Sequence, residues 1–129
     1  MAHEVPFHVI GTLQATADLS ALQYTFVTVT TLGGVTGTTI NTQRPIGVLQ
    51  NTPTSNQRCE IMVSGISKLV AGTSALVAGD LIGSTNGGKA VTITTGSSNW
   101  YAGQVLEGTL STTFNGLITA LVFPAQRSL

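Results

Sequence analysis

Charged side chains make up 8% of this sequence, where a soluble domain ordinarily carries about a quarter. Lys and Arg number five, Asp and Glu five, and the formal net charge is zero. A protein that neutralises phosphates needs clustered Lys and Arg. Here Arg44, Arg58, Lys68, Lys89 and Arg127 stand singly, so nucleic acid is not an expected partner. So little charge suits either a membrane protein or a surface that partners cover. The unbroken apolar runs Ala75-Leu76-Val77-Ala78 and Ala120-Leu121-Val122-Phe123 are far short of the ~20 residues of a spanning helix. No membrane span is expected, and no basic stretch followed by an apolar one suggests a secretory signal. Cysteine occurs once, at Cys59, which excludes an intrachain disulfide. With both His residues far off in sequence, Cys59 fits a half-buried strand position better than a nucleophile.

Helical periodicity is nearly missing too. Asp18-Leu19-Ser20-Ala21-Leu22-Gln23 could form a single turn capped by Asp18. It gives way to Tyr24-Thr25-Phe26-Val27-Thr28-Val29-Thr30, a β-branched and aromatic run that predicts a strand. Gly33-Gly34 and Gly37 then punctuate a Thr-rich loop or hairpin.

The middle predicts further strands at Ile46 to Gln50, Cys59 to Ser64 and, after Gly65, Ile66 to Val70. Asn51-Thr52-Pro53-Thr54-Ser55-Asn56 is a turn between the first two. Ala78-Gly79-Asp80 turns the chain into Leu81-Ile82, and Asn86-Gly87-Gly88 turns it again into Lys89 to Ile93. That Asn-Gly pair is the strongest hairpin signal in the chain.

A weak internal echo follows. Gly103-Gln104-Val105-Leu106-Glu107-Gly108-Thr109 resembles Ile46-Gly47-Val48-Leu49-Gln50-Asn51-Thr52. Each is followed by a polar turn and an apolar strand, Glu60 to Val63 in one case and Leu117 to Phe123 in the other. Two related strand-turn-strand units facing each other are expected. The 129 residues fit one domain with a core large enough to need no disulfide. The expected fold is all-β, a small barrel or sandwich with at most one short helical turn. Residues 17–129 form the domain and residues 1–16 an N-terminal arm.

Several motifs invite a chemical interpretation. Gly83-Ser84-Thr85-Asn86-Gly87-Gly88-Lys89-Ala90 has the glycine and lysine spacing of a phosphate-binding loop. That loop needs Ser or Thr after the lysine and a helix beyond it. Ala90 and the strand-like Val91-Thr92-Ile93 stand there instead, so a hairpin turn is the better interpretation. His3, Glu4 and His8 could be imagined as metal ligands, but an arm supplies no second shell. Asp80 fits a turn, where its carboxylate caps backbone amides, and nothing places it beside Glu107 as an acid-base pair. No catalytic, cofactor or metal site is expected. Trp100 and Tyr101, after a polar loop, divide evenly between an interface anchor and a core pair.

The ordered set Ala17-Asp18-Leu19-Ser20-Ala21-Leu22-Gln23-Tyr24, Ile46 to Pro53, Val63-Ser64-Gly65-Ile66-Ser67-Lys68 and Ala78-Gly79-Asp80-Leu81-Ile82 with Gly88-Lys89-Ala90-Val91 resembles a family of small tailed-phage capsid decoration (cement) proteins. Gly103 to Leu106 echoes that family's closing strand pair. The turn Thr54 to Arg58 departs from the family's acidic or Gly-bearing one, and the arm is not covered. The resemblance implies a virion protein, made in the host cytoplasm, that sits on the outer capsid surface. It would form a symmetric oligomer, a homotrimer or else a dimer, and hold adjacent major capsid protein subunits together. A carbohydrate-binding β module, stacking sugars on Trp100 and Tyr101, or a fibre-like adhesion protein is the alternative. In the arm, Val5, Phe7, Val9, Ile10 and Leu13 are too apolar for a solvated tail. Val5, Phe7 and Val9 alternate as an edge-adding strand does. With Trp100 and Tyr101 they are the candidate partner-binding residues.

Overall fold

The computed structural model describes residues 8–39, 43–72, 76–94, 99–107 and 116–127. Nine strands run in chain order through them: β1 His8–Ile10, β2 Phe26–Val29, β3 Val35–Gly37, β4 Gly47–Leu49, β5 Ile61–Val70, β6 Leu81–Ser84, β7 Ala90–Thr92, β8 Trp100–Glu107 and β9 Leu117–Arg127. The protein is all-β. All nine belong to one curled antiparallel sheet, ordered β3-β2-β4-β5-β9-β8-β6-β7, with β1 on β5. The described residues contain no helix. Asp18 does cap a turn, its Oδ1 accepting from the Ser20 amide at 3.0 Å, but the chain leaves that turn through Tyr24 at φ 63° and enters β2 two residues later.

Two strands expected on either side of Gly65 are one strand. β5 is continuous, and Gly65 within it has φ 135°, a conformation open to glycine and strained for other residues. There the strand changes partners. Met62 and Ile61 pair with β4 and with β1, whereas Gly65 to Val70 pair with β9. The last strand also runs further than its apolar stretch suggests, to Arg127, because its second half pairs with Trp100 and Tyr101.

The sheet order is the same pattern twice. β2 to β5 stand in the order 3-2-4-5 and β6 to β9 in the order 7-6-8-9. The registers agree: Val27↔Gly37 and Val29↔Val35 in one half become Ile82↔Thr92 and Ser84↔Ala90 in the other. The hairpin turns match bond for bond. Thr30 N–H donates to Gly34 O and Gly33 N–H to Thr30 O, as Thr85 does to Lys89 and Gly88 to Thr85. Gly33 and Gly88 both take positive φ, 87° and 81°, at the same turn position. Each half also curls back on itself through a parallel bridge, Ala15 to Val35 and Ala71 to Ala90. The short sequence echo falls on the equivalent strands β4 and β8 but one residue out of register: it sets Gly103 against Ile46, whereas cross-strand pairing makes Gly103 the counterpart of Gly47. The two units are joined side by side through β5 and β9, and the sheet curls so that Phe26 and Val48 of the first pack with Ala102 and Val122 of the second.

Each half has its own core. Ala15, Val27, Val35, Leu49 and Ile61 form one; Ala71, Ile82, Ala90, Val105 and Ala120 occupy the corresponding places in the other. The segment expected as an arm is divided. Residues 1–7 lie outside the described residues, but 8–16 are bound into the first half. β1 pairs with β5, Gln14 bridges Arg58, and Leu13 O accepts from the Cys59 amide at 2.8 Å. Leu13 packs against the first core and Ala15 lies within it, whereas Val9 stays exposed.

Candidate interaction surface

The string with phosphate-loop spacing is the turn between β6 and β7. Its amides are engaged: Gly87 and Lys89 N–H donate to Thr85 Oγ1 at 3.3 and 3.1 Å, and Gly88 N–H donates to Thr85 O. A phosphate would have to displace three bonds that hold the hairpin. Asp80 Oδ2 accepts from Val77 N–H at 3.1 Å and from Thr92 Oγ1 at 3.3 Å, so it caps its turn. Burial pushes the Cys59 thiol up from its ordinary range, which leaves little thiolate for chemistry. Of the imagined metal set, His3 and Glu4 lie outside the described residues and His8 is exposed on β1. Among the described residues no group of three His, Cys, Asp or Glu could hold a metal.

The candidate partner-binding residues separate into three groups. Val5 and Phe7 lie outside the described residues. Val9 is exposed on β1, while Ile10 and Leu13 are half-buried, Leu13 against the first core. Trp100 packs against the second core with the Arg44 guanidinium 5.2 Å from its ring centroid. Tyr101 meets Phe123 edge-on at 6.0 Å and its hydroxyl lies 2.9 Å from Gln126 Oε1. Both rings thus have contacts within the chain, Trp100 against the second core and Tyr101 on Phe123 at the half-buried surface.

A connected row of exposed apolar side chains lies elsewhere, on the outer face of the sheet across β6, β8, β9 and β5. Cross-strand pairing places Leu81 beside Gln104, Gln104 beside Leu121, and Leu121 beside Ile66. Leu81 and Leu121 are each 38% exposed and Ile66 48%. One rung along, Lys68, Thr119 and Glu107 pair across the same strands, so a cation and an anion border the row on one side. Exposed aliphatic side chains aligned in this way, here interrupted by Gln104, are what the surfaces that other proteins cover commonly present. A second apolar feature is Leu32, 96% exposed at the tip of the β2–β3 hairpin. It lines a shallow cleft of about 450 Å³ with Leu13 and Asn56. Sequence reasoning passed over both. A signal for the row existed: Leu117-Ile118-Thr119-Ala120-Leu121-Val122 is apolar on both faces, where a strand with one solvated face alternates.

No protein-family model matches the sequence, and no curated protein matches it either.

Proposed function

We propose that this chain is a structural virion protein that binds the outer surface of a tailed-phage capsid and stabilises contacts between major capsid protein subunits. The observation that carries the proposal is apolar exposure in two separate places on a nearly uncharged protein: the sheet row around Leu121 and the hairpin tip at Leu32. A cement protein needs two such surfaces, one for copies of itself, as a homotrimer or a dimer, and one for the shell. Val9 and Leu32 are the described residues offered for the shell. Threonine, serine and amide side chains between them desolvate at less cost than Lys or Glu would.

Mass spectrometry of purified virions is the direct test, with the protein expected at a copy number commensurate with the capsid lattice. Its absence from intact particles would refute the proposal. Capsid binding is also expected to depend weakly on salt, because apolar burial and uncharged hydrogen bonds are little screened. Titration against undecorated capsids should show less than about a tenfold loss of affinity between low and high salt.

A further inference from the structure

We infer that the outward row Leu81, Gln104, Leu121 and Ile66 is covered by a second copy of this chain, docked head to tail as the second half of each chain docks on its own first half. The basis is the counterpart of that row. In the first half, register pairs Phe26 with Val48, Val48 with Met62, and Met62 with Val9. Strand for strand these are the positions of Leu81, Gln104, Leu121 and Ile66. Yet Phe26 and Val48 are 0% exposed and Met62 9%, against 38% for Leu81 and for Leu121; only the end positions are alike, Val9 at 42% and Ile66 at 48%. What covers Phe26 and Val48 is the second half: both belong to its core cluster, with Ala102 and Val122. Phe26 N–H donates to Gly88 O and Val70 N–H to Tyr24 O across the same junction.

The chain therefore contains one complete junction and the two unfilled sides of another. One side is the exposed row. The other is the rim of the first core: its central residues are already buried, but Ile46 and Val63, at the positions of Ala102 and Val122, are only half-buried. Both line an open cleft of about 490 Å³ with Val29 and Pro45. Placing the row of one copy against this cleft in the next continues the interface already present inside the chain. Repetition of a head-to-tail contact closes into a ring or extends as a fibre; three copies would give a ring of six similar halves. This deepens the self-association in the proposed function and does not require a capsid.

Light scattering and sedimentation of the full chain at micromolar concentration test it. The wild type should be a multimer. Leu121→Lys in the row and Ile46→Lys in the cleft should each be a monomer with native circular dichroism. An equimolar mixture of the two should form a dimer, since one intact row and one intact cleft remain. If the cleft variant does not fold, Ile46→Thr replaces it, and Leu81→Ser serves likewise for the row. A monomeric wild type, a row variant that assembles like the wild type, or a mixture that stays monomeric would each overturn the inference. Leu32→Ser should assemble normally; if it alone dissolves the multimer, the interface is at the hairpin tip and the inference fails. Virions without the protein would refute the capsid proposal and leave this result untouched.

Discussion

The two halves of this protein share strand order and hairpin register but differ in how many of their faces are buried. In the first half, alternate residues go to different cores: Val27 and Leu49 to its own, Phe26 and Val48 to its neighbour's. In the second, Ile82 and Val105 go inward, while Leu81 and Leu106 face solvent at 38% and 41% exposure. One backbone pattern thus supports a two-sided layer and a one-sided layer. The side chains on the outer face record the difference, with Phe and Val in the covered row and Leu and Gln in the open one. The open row is apolar enough to be covered and tolerant enough to remain wet.

The comparison is broken most directly at its equivalent positions. Phe26→Ala should destabilise the chain by about 3–5 kcal/mol, the cost of a large cavity between two packed layers. Leu81→Ala, at the same register position, should cost about 1 kcal/mol or less in the monomer, since much of its side chain is already hydrated. Urea unfolding of both variants at dilute concentration decides the matter. Equal losses would mean that the outer face of the second half is buried in the monomer, and the distinction between the halves would be lost.

What the sequence showed and hid follows from the same division. The hairpin at Asn86-Gly87-Gly88 was legible because its residues are those the turn geometry demands. Its twin uses Thr31-Leu32-Gly33-Gly34, where only the positive-φ glycine is shared, so the repetition showed in the sequence only as a faint echo, one residue out of register with the paired strands. Gly65 suggested a break because glycine usually interrupts strands; here it redirects a continuous one. The arm was misplaced at its inner end, since Leu13 finds its partners in residues forty and more positions away, Cys59 among them. Local pattern does not reveal which layer covers a given face, so neither the buried row at Phe26 nor the open one at Leu81 could be told apart by hydrophobicity. Deleting residues 2–13 should accordingly cost at least about 2 kcal/mol, because it removes β1 and the half-buried Leu13. Native stability after that deletion, measured by thermal unfolding, would restore the arm as a separate element.

A smaller contrast concerns two equivalent glycines. Gly47 pairs with Val27 and Gly103 with Ile82, so each sits where the third strand of its half pairs with the first. A Cβ at Gly47 would fall on Met62 O and the Ile61 side chain, whereas one at Gly103 would stand 2.9 Å from Leu121 O. Backbone carbonyls yield little. Gly47→Ala should cost about 1–3 kcal/mol by forced displacement of β5, and Gly103→Ala less. The reverse order in urea midpoints would show that the first half relaxes more easily than the second, against its two-sided packing.

The finest distinction lies in the hairpin threonines. Thr30 Oγ1 accepts one amide, Gly34 N–H at 3.1 Å. Thr85 Oγ1 accepts two, from Gly87 and Lys89. A hydrogen bond of this kind contributes about 1 kcal/mol net when its partners can otherwise turn to water. The Gly87 bond is long at 3.3 Å and exposed, so its share is the smaller. Thr85→Ala should therefore destabilise by about 1–1.5 kcal/mol and Thr30→Ala by about 1 kcal/mol. Thr→Ser retains the hydroxyl and should recover most of the loss in both, which separates the hydrogen bonds from the β-propensity of the methyl group. Hydrogen exchange at the Lys89 and Gly34 amides provides the local readout. Alanine variants should expose both amides faster than the wild type while the amides of β5 keep their protection. If Thr30→Ala proves the costlier, the turn of the first half depends on its cap more than the matching bond pattern implies, and the two hairpins are alike in geometry but not in energetics.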